Sequence, residues 1–389
     1  MIYLFILLVI VFCVIRFDIS GYKNNSHQWY LFIWIYLTLI SGLAYRLGGD
    51  GIVYVWQYPS YTVDDGFGWE ALTAYNNRLP AWVLLNKLCR LVTEDYWFFK
   101  FVHAIIINTL FGYYIKTNTK YVFSSTLFYF VLLYFDLNFQ LLRQVLAIAF
   151  FLYSIRFFKT NKWLKYYLIC AIAVLFHESA IITFVFPLMR LIRYNRKTLF
   201  VLIALVFVLL FEGGQLFNSV LFSLPEMFGE KAITYMSDGE SSSIVTRSLN
   251  IILSSIIPII YVCYTKKSDV NSIGAVVYGL CYAVGISVTI FYRFSMYFQL
   301  FFYVFYIEMF YSICKNLARS FKKEKAFAFT YLLIVFVFLA FRGRMYFSPY
   351  GESGKPSWVQ YYPYSSIIFP EKNPDREQLF NSIDFSGYL

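Results

Sequence analysis

About a dozen mostly apolar runs, separated from one another by polar loops, recur along this chain, and that recurrence constrains its fold more than any other feature. A helix that crosses the hydrocarbon of a bilayer needs about 20 mostly apolar residues, or about 17 at the short end. On that template we expect spans at 2–14, 29–44, 96–115, 122–135, 141–157, 164–176, 180–191, 199–211, 249–264, 273–292, 295–314 and 326–341. The expected class is therefore all-α: a polytopic integral membrane protein with about 12 transmembrane helices. Charged residues are only 14% and apolar residues 60% of the chain, which excludes a water-soluble enzyme. The first run lacks a basic leader and a small-residue cleavage site, and its first basic residues, Arg16 and Lys23, follow it. It reads as a retained helix inserted with its N-terminus outside.

A formal charge of +11 would suggest nucleic acid in a soluble domain, but here the basic residues fall in loops between apolar runs. We expect no nucleic-acid partner, and read the charge as topology. One alternating set of loops holds Arg16 and Lys23; Lys116 and Lys120; Arg156, Lys159, Lys162 and Lys165; Arg190, Arg193, Arg196 and Lys197; Lys266 and Lys267; and Lys315, Arg319, Lys322, Lys323 and Lys325. These 19 basic residues face three acids, Asp18, Asp269 and Glu324, so the set is cytoplasmic by the positive-inside rule. An even number of spans then puts both termini outside. A single membrane domain, 1–341, would carry external loops at about 45–95 and 212–248, and 342–389 would form an external C-terminal tail.

Within the first external loop, 79–92 is apolar but too short to span and carries Lys87 and Arg90, so it reads as a re-entrant or interfacial helix. The second loop, with Gly213-Gly214 and Gly239-Glu240-Ser241-Ser242-Ser243, has the composition of a mobile connector or lid. The six cysteines lie singly, mostly in apolar runs, and read as small core residues. None of the three histidines pairs at helical metal-ligand spacing, so neither a metal nor any other cofactor is expected. Aromatics at 23%, among them Trp56, Tyr58, Tyr61, Phe67, Trp69 and Tyr75 of the first loop, exceed the needs of a core and suit lipid, headgroups or sugar rings. Asp64-Asp65 reads as a solvated turn, with the acidic pair of a transferase fed by a polyprenyl-phosphate sugar as the alternative.

Charges within or at the edge of spans cost several kcal/mol unless paired or facing a cavity, which makes them functional candidates. Arg46 and Asp50 end the second span, Arg143 sits one turn into the fifth beside Gln140 and Gln144, His177 and Glu178 close the sixth, and Arg293 starts the eleventh. All of these fall on the external side of the charge-derived topology, although that topology was built from other residues. Each also has a structural reading: an Arg46–Asp50 pair at i,i+4, a snorkelling Arg143, a satisfied helix terminus at His177-Glu178, an interfacial anchor at Arg293. Together, arginines at headgroup depth suit a phosphate or diphosphate, which the guanidinium fork binds bidentately at any working pH. Arg78, in Tyr75-Asn76-Asn77-Arg78, adds polar groups that read hydroxyls.

The series Arg46-Leu47-Gly48-Gly49-Asp50 with Tyr54 and Tyr58, Trp69-Glu70, Leu84-Leu85-Asn86-Lys87-Leu88, Leu142-Arg143-Gln144, Phe176-His177-Glu178-Ser179-Ala180 and Tyr292-Arg293-Phe294 resembles the EpsG family of Wzy-type polysaccharide polymerases. Gly51 stands where that family often has a bulkier residue, and Glu178 where it often has a small or polar one. The resemblance implies a glycosyltransferase that joins undecaprenyl-diphosphate-linked oligosaccharide repeats on the periplasmic face of a bacterial inner membrane, for exopolysaccharide, capsule or O-antigen. Its donor and acceptor would both be lipid-linked, in contact with membrane lipid, with a flippase and a chain-length regulator as partner proteins. Arg46, Arg78, Arg143, Gln144 and Arg293 would bind diphosphate and sugar, the arginines stabilising the leaving group without a metal. One of His177, Glu178 and Asp50 would take the proton of the attacking hydroxyl.

Overall fold

The computed structural model describes residues 1–75, 78–221, 244–286, 288, 290–320, 324–349 and 354–381. Helix is the expected outcome for runs that must satisfy their own backbone groups in hydrocarbon. Among the described residues every regular element is helical, and β pairing is confined to two isolated bridges, Ala44 with Ser366 and Pro349 with Pro356. In chain order the first helices are α1 (Ile2–Cys13), α2 (Ser26–Gly42), α3 (Gly49–Gln57), α4 (Trp69–Thr73), α5 (Pro80–Arg90), α6 (Tyr96–Asn118), α7 (Val122–Leu132), α8 (Tyr134–Phe139) and α9 (Leu142–Lys159). Then come α10 (Trp163–Phe176), α11 (Arg196–Leu221), α12 (Ile244–Ile251), α13 (Ile257–Thr265), α14 (Val270–Gly285), α15 (Ile290–Met296), α16 (Gln299–Ser320), α17 (Glu324–Gly343) and α18 (Pro374–Asn381).

Among the described residues, four helical stretches are long and apolar enough to cross a membrane: Ile2–Ile19, Tyr96–Asn118, Val245–Thr265 and Phe327–Phe347. A fifth is the pair Ile290–Met296 and Gln299–Ala318, bent by 56°, if it counts as one span. Three shorter apolar helices, Val122–Leu132, Trp163–Phe176 and Val270–Gly285, accompany them. The all-helical membrane class of the sequence reading is thus present. The expected span at 180–191 takes another form, two 3-10 helices at Glu178–Phe184 and Phe186–Leu191, the second with Pro187 in its first turn. A 3-10 helix rises about 2.0 Å per residue against 1.5 Å in an α-helix, so this short segment reaches farther than its length implies. The second external loop falls largely outside the described residues, as do Asn76 and Asn77.

The chain divides into two compact units, one of Met1–Ser154, Ala171–Glu178 and Ile307–Leu389, the other of Ile155–Cys170 and Ser179–Tyr306. In the first, α2 lies against α6, where Gly42 and Gly112 leave room for the rings of Phe101 and Trp34. The Tyr30 hydroxyl donates to Gly112 O at 2.6 Å. Loop residues of this unit gather at two ends. At one, Asp18 accepts the Ser124 amide at 2.6 Å and so caps α7, Phe17 stacks on Phe123, Tyr121 stacks on Tyr311, and Lys116 meets His27 at 3.1 Å. Arg16, Lys23, Lys116, Lys120 and Lys315 belong to this end.

At the other end, Tyr3, the 43–49 turn, the α8–α9 turn and the C-terminal segment meet. Tyr45 N donates to Ser365 O and Ile367 N to Leu43 O, both at 2.9 Å, and Tyr3 OH donates to Tyr361 O at 3.1 Å. Ile52 packs with Val359, Leu379 and Phe380. Arg376 is fully buried, donating to Val359 O and Arg46 O at 3.3 Å and to Pro363 O. Three carbonyl acceptors for one guanidinium explain how it can be buried. Residues 344–349 and 354–381, within the expected C-terminal tail, form a folded cap on this unit.

In the second unit Pro258 has no N–H to return to Ser254 O, and the backbone before it widens into a π-helical turn, Ile252–Ile256. The carbonyls so exposed are used: Tyr306 OH donates to Leu253 O at 2.5 Å, and Gly279 packs directly on Ser254. Asp269 caps α14 by accepting from Asn271 N and Ser272 N.

Candidate functional site

The site is built around the turn from α8 to α9. Gln140 N and Leu141 N both donate to Asp136 O at 3.0 Å, closing the turn and leaving Arg143 in the first turn of α9. Two polar residues of α6 hold this turn from beneath. Buried Lys100 donates to Asn138 O, and His103 Nε2, protonated because its partner is a carbonyl, donates to Leu142 O at 2.8 Å. Behind them Asn138 and Asn108 are joined at 3.2 Å, with the Tyr129 hydroxyl donating to Asn108 Oδ1. A buried hydrogen-bond network of this kind fixes backbone geometry.

Arg143 is half-buried and donates from Nε to the Tyr54 hydroxyl at 3.2 Å. Tyr54 packs on Trp82, ring centroids 5.0 Å apart, and Trp82 Nε1 donates to the Tyr61 hydroxyl at 3.0 Å. Arg78 donates from Nε and Nη2 to Gln57 Oε1 at 3.2 and 2.7 Å, and also interacts with Tyr61. Arg143 and Arg78, far apart in sequence, thus belong to one aromatic cluster formed by α3 and α5. Glu178 lies within electrostatic reach of Arg143. The elements that bring it there are α9 and the end of α10, where Phe150 stacks on Phe176 at 5.3 Å. His177 is buried, Glu178 is exposed, and Gln144 is buried beside Arg143.

Arg46 is placed differently. It forms a two-pronged ion pair with Glu377 of α18, Nε to Oε1 at 2.9 Å and Nη2 to Oε2 at 2.5 Å; the side chain of Asp50, its local partner in the sequence reading, lies outside what the structure describes. The guanidinium holds the Glu377 carboxyl below its ordinary range. Asp50 is the second residue of α3. Arg293 lies on α15 in the second unit, half-buried, one turn before the bend at Tyr297-Phe298.

The N-terminus of α3 depends on two features that sequence reasoning missed. Gly48 has φ +77°, and a Cβ there would lie 2.3 Å from Phe139 O, so only glycine lets the 46–50 turn touch the α8–α9 turn. Gln360 of the cap accepts from Gly49 N at 3.2 Å and from Gln140 Nε2 at 2.8 Å. Asp136 accepts from the Tyr361 hydroxyl at 2.7 Å, and burial pushes its carboxyl up to about 6 while that hydrogen bond opposes the shift. The only sequence signal for the cap is Asn373-Pro374-Asp375, a helix start followed by an acid. Asp65 is exposed but pairs at 2.7 Å with fully buried Lys87, which holds it below the usual carboxylate range. No cluster of three or more His, Cys, Asp and Glu suited to a metal occurs among the described residues.

The EpsG family model matches residues 27–366, from the start of α2 into the cap. No curated protein and no solved structure matches the chain.

Proposed function

Because the chain belongs to the EpsG family, we propose that it is a Wzy-type polysaccharide polymerase, a membrane glycosyltransferase that extends a glycan from undecaprenyl-diphosphate-linked repeat units. The observation that carries this is the setting of Arg143. It is a half-buried arginine among tyrosine, tryptophan and glutamine side chains, at the end of its unit opposite Arg16, Lys23, Lys116, Lys120 and Lys315. If that basic end is cytoplasmic, and the chain makes the twelve crossings its charge pattern calls for, Arg143 faces the periplasm, where flipped lipid-linked sugars are presented.

Arg143 and Arg78 then grip the diphosphate, with Gln144 as a further contact, and the guanidinium charge stabilises the pyrophosphate as the glycosidic bond to it breaks. His177, Glu178 or Asp50 accepts the proton of the attacking sugar hydroxyl. Arg46, engaged by Glu377, acts on the site through the cap rather than on phosphate. A transferase fed by a polyprenyl-phosphate sugar would call for a free acidic pair in the first loop, and the engagement of Asp65 by Lys87 weighs against it. The test is the lipid-linked material in a strain lacking the gene. Single repeats accumulating on the outer leaflet are expected; repeats trapped on the inner leaflet would make the protein a flippase and end the proposal.

A further inference from the structure

The first N–H groups of any helix need acceptors from outside it, and a glycine N-cap cannot supply one from its own side chain. In α3 that N-cap is Gly48, and α3 begins with Gly49 and Asp50. The missing acceptors come from more than 300 residues away: Gly48 N donates to Gln360 O at 3.2 Å, and Gly49 N to Gln360 Oε1 at 3.2 Å. The same Oε1 accepts from Gln140 Nε2 at 2.8 Å, and Gln140 also donates to the Tyr361 hydroxyl. One buried amide oxygen therefore touches both the turn that leads to Asp50 and the turn that leads to Arg143. Gln360 is fully buried and its Nε2 has no hydrogen-bond partner among the described residues, so its side-chain bonds here are all made by Oε1.

We infer that Gln360 is a positioning residue for the transfer reaction, tying the N-terminus of α3 to the α8–α9 turn so that the groups the two turns carry keep their spacing. Small displacements of such groups are costly to catalysis while leaving binding almost intact. The inference deepens the polymerase proposal and depends on it for its kinetic arm; its structural arm stands by itself.

The experiment uses the full-length protein in proteoliposomes, with residue-resolved hydrogen exchange and polymerisation kinetics on a lipid-linked repeat unit. In Gln360→Ala the Gly49 amide should exchange roughly tenfold faster, the equivalent of one net hydrogen bond, while the Gly48 amide, bound to the Gln360 backbone, keeps its protection. The kcat should fall roughly tenfold or more with KM nearly unchanged, and Gln360→Glu, which retains the acceptor, should restore both readings. Should the alanine variant fail to fold, Gln360→Met, similar in shape but without the acceptor, carries the same expectations. Full kcat in a variant whose Gly49 amide has loosened overturns the inference, as does equal loss in the alanine and glutamate variants. A wild-type protein that makes no polymer overturns the polymerase proposal alone, and the Gly49 exchange then decides the tether.

Discussion

Replacing Gly48 by alanine should be among the most damaging single-methyl additions to the chain, and three glycines allow its cost to be resolved into parts. At Gly48 the backbone sits at φ +77°, and an added Cβ would lie 2.3 Å from Phe139 O, 2.6 Å from its carbonyl carbon and 2.8 Å from its Cβ. A left-handed backbone costs an L-residue about 1–2 kcal/mol, and forcing a methyl into occupied space about 1–3 kcal/mol, so Gly48→Ala should lose about 2–5 kcal/mol. Gly66 has φ +79° with nothing within 4 Å of its Cβ, and isolates the backbone component at about 1–2 kcal/mol. At Gly51, inside α3, a Cβ would lie 3.2 Å from Phe139 O, a mild contact that is offset by the roughly 0.5–1 kcal/mol alanine gains over glycine in a helix. Multispan proteins unfold irreversibly, so the assay is the half-life of the detergent-solubilised protein at a fixed elevated temperature. The expected order is Gly48→Ala shortest, Gly66→Ala intermediate and Gly51→Ala nearest wild type. A Gly48→Ala protein that outlives or equals Gly66→Ala would refute the contact between the two turns.

Docking of the C-terminal cap should depend on pH in two separable limbs, read as protection of the Ile367 amide after correction for intrinsic exchange. Glu377, held below its ordinary value of 4.5 by Arg46, contributes stability that is present above that value and lost as pH falls through its lowered folded-state value, and Glu377→Gln should flatten this acid limb. Asp136, raised from 3.8 to about 6, binds its proton more tightly in the docked state, so its contribution declines as pH rises from 3.8 through 6, and Asp136→Asn should flatten that limb. Polymerisation should continue in excess EDTA; activity lost to the chelator and restored by a divalent ion would remove the arginine-based account of leaving-group stabilisation.

The membrane class was legible because burial in hydrocarbon writes itself locally, as uninterrupted apolar runs with basic loops between them. Arg16, Lys23, Lys116, Lys120 and Lys315 do share one end of their unit, and Arg143 sits at the other with Glu178 in reach. The cap was not legible, because it has no period: its bonds run from Ser365 to Tyr45, from Glu377 to Arg46 and from Gln360 to Gly49, each across more than 300 residues. Arg46 is visible in the sequence as a charge at a span edge, but no local pattern announces its pairing with Glu377. Segment 180–191 was legible as apolar but not as 3-10, since hydropathy is indifferent to helix pitch.

In the proposed reaction Arg143 holds the diphosphate of a lipid-linked donor during glycosyl transfer. Purified protein in liposomes, given a defined undecaprenyl-diphosphate oligosaccharide, should build a ladder of longer glycans, and Arg143→Ala should cut the rate by roughly 10²–10³, the usual cost of losing one charge-stabilising donor. An unchanged ladder from a correctly folded Arg143→Ala protein would contradict the account.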